Sequence, residues 1–100
     1  MFKVMIKRTI PPGKESELRG MITLLRSLAM KQPGYVSGET LQSADNPNQY
    51  LVISIWENEK DWRAWFNSNE RKALQTNVDK LVGIETVYES YYYPHMPHAD

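Results

Sequence analysis

The sequence contains no cysteine. Disulfide staples, thiolate zinc sites, iron–sulfur clusters and a cysteine nucleophile are therefore excluded. An excess of one charge is also missing. Twelve basic residues balance twelve acidic ones, and the isoelectric point is near 6.7, so no broad basic field exists to hold nucleic acid. No apolar run approaches the ~18–20 residues that a membrane span requires. The opening stretch Met1-Phe2-Lys3-Val4-Met5-Ile6-Lys7-Arg8 interleaves charges with apolar residues, unlike a secretory leader. The expectation is a cytoplasmic protein with neither nucleic-acid nor membrane partners. A glycine-rich phosphate loop, a Ser-His-Asp pattern and a carboxylate pair at metal spacing are absent as well. Histidine occurs only at His95 and His98. Both lie in a proline-rich terminus that offers a metal neither rigid geometry nor a supporting shell, so a solvated tail over residues 94–100 and no metal site are expected.

What remains is ordinary globular material. The 100 residues are 41% hydrophobic and 24% charged, which suits one domain and argues against disorder. Residues 2–10 alternate, with Phe2, Val4 and Ile6 on one side and Lys3, Met5, Lys7 and Thr9 on the other. Period two predicts a strand, and Pro11-Pro12-Gly13 stops it. Residues 14–32 carry Leu18, Met21, Ile22, Leu25, Leu28 and Ala29 at spacings of three and four, the apolar stripe of a helix that Pro33-Gly34 ends. Tyr35 to Ser43 reads as a second strand and Gln49 to Trp56 as a third. The turn residues Ala44-Asp45-Asn46-Pro47-Asn48 join them into a hairpin.

Residues from Glu57 to about Leu81 read as helix in two pieces. Trp62, Trp65 and Phe66 share a face of the first piece, and Ala73, Leu74, Val78 and Leu81 form the stripe of the second. Asn67-Ser68-Asn69 is the break, with Ser68 as N-cap. Gly83 closes the second piece, and Ile84 to Tyr93 forms the last strand. The order β-α-β-β-α-β predicts an α+β, ferredoxin-like fold with a four-stranded antiparallel sheet and helices on one face. The opposite face would carry Met5, Tyr35, Leu41, Leu51, Ile53, Ile55, Tyr88 and Tyr92, too apolar a surface to leave in water. A second copy packed sheet to sheet would cover it.

Pro33-Gly34-Tyr35, the strand end Ser54-Ile55-Trp56-Glu57 and the helix segment Trp62-Arg63-Ala64-Trp65 together resemble the antibiotic biosynthesis monooxygenase (ABM) family, over residues 2–93. The resemblance implies a homodimer whose two sheets form a shared α+β barrel, with a ligand pocket in each subunit between sheet and helices. Some members oxygenate polycyclic phenols without a cofactor. Others bind and degrade haem, and others have no known substrate or serve as partner domains. Trp65 matches the helix tryptophan of the haem degraders, but Gln75 stands where their proximal histidine would fall, and residues 2–10 hold no asparagine to match their pocket residue. Trp56 matches the strand-end tryptophan of the phenol oxygenases. Val52 replaces their pocket asparagine, and Trp62 replaces a helix tyrosine.

Trp56, Trp62 and Trp65 form either a flat pocket for a planar aromatic, with indole N–H donors, or plain core. Parity places Val52, Ser54 and Trp56 on one strand face, so Trp56, Trp62, Trp65, Val52, Ser54 and Ile6 are the expected lining. No catalytic residue is assigned. Cofactor-free oxygenation needs a dry aromatic pocket and a donor or cation near the substrate oxygen. Arg8 shares the Ile6 face and could supply that charge, but a solvated strand end is the plainer expectation. Of the run Tyr91-Tyr92-Tyr93, only Tyr91 and Tyr93 are expected to be able to reach the helix side, and strand packing is the plainer role. The leading functional expectation is a cofactor-independent monooxygenase of a phenol or quinol. A non-catalytic small-molecule-binding or stress-response module of the same fold is the alternative, and haem degradation ranks behind both.

Overall fold

The computed structural model describes residues 1–94, so His95, His98 and most of the expected tail lie outside the described residues. The chain runs β1 (Phe2–Thr9), α1 (Glu15–Ala29), β2 (Tyr35–Gln42), β3 (Gln49–Trp56), α2 (Glu59–Phe66), α3 (Asn69–Val82) and β4 (Val87–Tyr92). The four strands form one sheet in the order β2-β3-β1-β4, and each adjacent pair is antiparallel. This is the expected ferredoxin-like α+β arrangement. Among the described residues, no helix is long and apolar enough to cross a membrane.

Alternation decides which face is covered. Phe2, Val4, Ile6 and Arg8 of β1 are buried, while the residues between them are not. Val52, Ser54 and Trp56 do the same in β3. Leu18, Leu25 and Ala29 of α1, Trp62 and Trp65 of α2, and Val78 and Val82 of α3 close over that face as one core. Each large apolar side chain buried there contributes about 1.5–3 kcal/mol.

Element ends shift by a few residues, each for a local reason. α1 stops at Ala29 instead of residue 32. The N–H groups of Lys31 and Gln32 donate three residues back, to Leu28 and Ala29, which tightens the turn ahead of Pro33. α2 begins at Glu59 because Asn58 caps it, accepting from the Asp61 N–H at 2.8 Å. Ser68 caps α3 as expected, accepting from the Arg71 N–H at 3.2 Å. Gly83 ends α3 in the left-handed region at φ 73°. The chain then stays irregular to Thr86, so β4 starts at Val87 and not at Ile84.

Two face assignments are corrected. Tyr88 and Tyr92 pair with Ile6 and Phe2 and lie on the helix side, whereas Tyr91 pairs with Lys3 on the outer face. The Lys3 ammonium sits 5.2 Å from the centre of the Tyr93 ring, so neither Tyr91 nor Tyr93 turns toward the helices. Tyr35 pairs with Trp56, while Ser37 pairs with Ile55, one step along. The extra residue, Val36, is a bulge. It reverses the parity of everything before it and turns Tyr35 to the helix side. The stripe of α3 is also rotated. Arg71, Gln75, Val78 and Val82 are buried, and Ala73 is exposed.

Candidate active site

The helices do not close completely on the sheet, and a cavity of about 60 Å³ remains between them. On the sheet side it is lined by Ile6, Arg8, Tyr35, Gly38, Val52, Ser54 and Tyr88, and on the helix side by Ile22, Leu25, Arg26, Ala29, Trp62, Trp65, Arg71 and Gln75. Five of the six expected lining residues, Ile6, Val52, Ser54, Trp62 and Trp65, meet here. Trp56 does not. It is fully buried, packed edge-to-face against Tyr35 and Trp62 at centroid distances of 5.4 and 5.7 Å. Its indole N–H donates to the Ser54 hydroxyl at 2.9 Å. Trp56 is the wall behind the pocket, because strand pairing places it at the sheet end under α2. Gly38 lets the Tyr35 ring lie over β2, since a Cβ at Gly38 would stand 2.7 Å from the Tyr35 hydroxyl.

One end of the cavity is apolar and aromatic, and the other is cationic. Arg8 and Arg71 are each only 7% exposed. Arg8 is therefore not the solvated strand-end residue of the plainer expectation, because α3 lays Gln75 and Arg71 across the end of β1. Arg71 Nη1 donates to the Tyr88 hydroxyl at 2.9 Å, and that hydroxyl donates to Gln75 Oε1 at 3.0 Å. Gln75 Nε2 in turn donates to Asp79 Oδ1 at 2.8 Å and to the Thr86 hydroxyl at 3.1 Å. Arg71 is held further by its Nε, which donates to the Phe66 carbonyl at 2.7 Å, and by the Phe66 ring, whose centre lies 4.3 Å from the guanidinium carbon.

Arg8 is much less well served. Among the described residues, its one side-chain hydrogen bond, Nη2 to Gln75 Oε1, is 3.5 Å long, and its buried Nε has no partner. Burial pushes the Arg8 guanidinium below its usual value. Tyr88 and Asp79 oppose that shift, while Arg71 and Arg26 add to it. An arginine so placed still carries its charge at neutral pH.

Outside the cavity lies an open groove of about 490 Å³ between α1 and the β2–β3 end of the sheet, lined in part by Ile10, Arg19, Met30, Thr40 and Tyr50. Ile22 and Arg26 line both spaces. Arg26 Nη2 donates to the Thr40 hydroxyl at 2.6 Å, tying α1 to the edge strand between them. The arrangement suits a flat, largely apolar ring system with an electron-rich oxygen, entering from the groove. No His, Asp or Glu lines the cavity, and among the described residues no cluster of such groups could hold a metal. Sequence reasoning missed Arg71, Tyr88, Tyr35 and Arg26. For Arg71 a signal existed, since its spacing to Gln75, Val78 and Val82 is that of a buried helix stripe.

Fold and site together define a ferredoxin-like α+β protein with an internal cavity that is aromatic at one end and cationic at the other. The chain belongs to the Antibiotic biosynthesis monooxygenase family, whose family model matches residues 1–77. It is 31% identical over 80 residues to Protein SchA of Streptomyces halstedii, a match that covers 80% of this chain and 21% of that protein. It is 32% identical over 68 residues to the 42.8 kDa protein in the whiE locus of Streptomyces coelicolor, covering 68% of this chain and 17% of that protein. The chain thus spans about a fifth of the length of these relatives. Among solved structures, it is similar to SnoaB, a cofactor-independent oxygenase from Streptomyces nogalater, with TM-score 0.78, 17% identity and 96% of each chain covered. It is also similar to a protein from Methanosarcina mazei Go1, with TM-score 0.81, 20% identity, and 90% and 89% of the two chains covered. At these identities the structural likeness is one of fold.

Proposed function

We propose that this protein is a cofactor-independent monooxygenase of a phenolic or quinol-type small molecule, acting as a homodimer. The observation that carries the reading is the meeting, in one cavity, of Trp62 and Trp65 with the buried cations Arg8 and Arg71. Such a ring, held as its oxyanion, is electron-rich enough to reduce dioxygen itself. A ring CH₂ and O₂ become C=O and H₂O, with the four electrons coming from the substrate. The protein's part is to exclude water, hold the ring flat between apolar side chains and steady the negative oxygen. The family and the cofactor-independent oxygenase SnoaB support this chemistry.

The cavity, about 60 Å³, is smaller than the roughly 150 Å³ that holds one benzene. A multi-ring substrate must therefore push aside Ile22 and Arg26 and extend into the outer groove. Two features favour the alternative, a non-catalytic binding module. Val52 offers no polar anchor, and no carboxylate or imidazole lines the cavity to take a proton. The two readings separate with a dihydroxyanthrone probe. Binding is followed by tryptophan quenching under nitrogen, and turnover by oxygen uptake above the protein-free rate. Quenching with uptake that Trp65→Ala abolishes supports the oxygenase. Quenching without uptake leaves the binding module. Equal quenching by the wild-type and Trp65→Ala proteins removes the aromatic pocket from both readings.

A further inference from the structure

A buried cation without an adequate partner is costly. Removing a guanidinium from water forfeits several kcal/mol that only a counter-charge and well-made hydrogen bonds return. Arg8 receives neither from the described part of the chain. Its Nε is buried and unpartnered, its single bond is 3.5 Å long, and among the described residues no carboxylate forms an ion pair with Arg8 or Arg71. Arg71 stands on the far side of the Gln75–Tyr88 pair and adds a second positive charge to the same corner. Arg26 lines the cavity as well. The cavity thus carries three guanidinium groups and no acid.

We propose that this cationic corner, centred on Arg8, is a binding point for the carboxylate of an aromatic acid. The proposal rests on the aromatic cavity of the preceding section and narrows the class of its ligand. Two physical points select a carboxylate over a neutral phenol. A planar carboxylate presents two oxygens to the donor fork of arginine. One that takes the place of the long bond to Gln75 engages the weakly held Nη2 and, with a small turn of the Arg8 side chain, the buried Nε. A ligand that is already ionised is favoured at this corner, since no carboxylate or imidazole lines the cavity to take its proton. Carboxylic acids are ionised at neutral pH, whereas ordinary phenols, with pKa values near ~10, are not. The rest of the acid is aromatic because the walls leading away from Arg8 are Ile6, Val52, Trp62 and Trp65. In the free protein, the Arg8 charge lacks the counter-ion that the ligand supplies.

Calorimetric titration of the full chain at neutral pH with 2-naphthoate and with 2-naphthol tests this. The pair shares a ring system and differs in charge. The wild-type protein binds 2-naphthoate at least about tenfold more tightly, the scale of one charge-assisted hydrogen-bond pair. Arg8→Met lowers naphthoate affinity at least about tenfold and leaves naphthol within about twofold. Arg8→Lys restores part of the loss, because it keeps the charge without the fork. Ligand-free Arg8→Met melts no lower than the wild type, which shows that its lost affinity is not lost folding. Equal affinities for the two ligands in the wild type, or naphthoate binding unchanged by Arg8→Met, overturn the carboxylate site. If Trp65→Ala still weakens both ligands in that case, the aromatic cavity stands. Absence of binding by either ligand overturns both.

Discussion

The indole N–H of Trp56 donates to the hydroxyl of Ser54, two residues back on the same face of β3, at 2.9 Å. The bond uses up the polar handle of a fully buried tryptophan and gives Trp56 a different role from Trp62 and Trp65. The strand tryptophan holds the structure together, while the helix tryptophans face the cavity. Ser54→Ala strands that buried donor and should cost about 1–3 kcal/mol, read as a lower midpoint in urea unfolding. Trp56→Ala should cost about 3–5 kcal/mol through the cavity it leaves. Trp65→Ala should lower the midpoint as well, since Trp65 is buried in the core, and, unlike Trp56→Ala, should also reduce ligand quenching in the protein that remains folded.

Arg26 lines both the cavity and the groove, and Thr40 holds it there. Their 2.6 Å hydrogen bond ties α1 to β2 where the small cavity meets the large groove. Thr40 is exposed, so Thr40→Val should change stability by less than about 1 kcal/mol. Removing the acceptor should free Arg26 to swing outward and raise the association rate of 2-naphthoate several-fold in stopped-flow tryptophan fluorescence. An unchanged rate would place the entrance elsewhere.

The outer sheet face carries Met5, Leu51, Ile53 and Ile55, half-buried, with Leu41 and Val87 exposed at its edges. We propose that a second copy covers this face. Light scattering should give a dimer mass at micromolar protein, and Ile53→Asp should shift it to monomer, since an unpaired charge in an interface costs several kcal/mol. A wild-type monomer would dismiss the proposal.

Gln75 is engaged at both ends of its amide. Oε1 accepts from Tyr88 and Arg8, and Nε2 donates to Asp79 and Thr86. The sequence resemblance sets Gln75 against the proximal histidine of the family's haem degraders, and an amide is a poor axial partner for iron beside imidazole. Titration with haemin should give no sharp Soret band at stoichiometric ratio. The measurement is repeated on a chain ending at Tyr93, which removes His95 and His98. A tight band in the shortened chain would mean that α3 has been matched to the relatives in the wrong register.

Much of the architecture was legible because the signals are local. β3 declares itself through Val52, Ser54 and Trp56 alternating with Leu51, Ile53 and Ile55, and α1 through the three-four spacing that buries Leu18, Leu25 and Ala29. Ser68 was readable as a cap from its place in Asn67-Ser68-Asn69. Asn58 carries a comparable signal, since Asp61 three residues on gives it a reciprocal partner, the Asn58 Nδ2 donating to Asp61 Oδ2 at 3.0 Å. The candidate site was half legible. Val52, Ser54, Trp62 and Trp65 follow from parity and helix spacing, whereas the cationic half depends on which elements are laid across which.

The pattern of apolar and turn residues was enough to set the order of strands and helices, the covered face of β1 and β3, and the absence of thiol chemistry. Each of these depends on neighbours a few positions away, where backbone periodicity governs. The tertiary structure alone decided that Tyr35 faces the helices, because the bulge at Val36 is visible only against the register of β3. It alone turned Tyr88 inward, because both faces of β4 carry tyrosine and only its pairing with Ile6 chooses between them. It also made Arg8 a buried cation. A strand-end arginine is solvated by default, and only the passage of α3 over β1, bringing Gln75 to it from 67 positions along the chain, takes its water away.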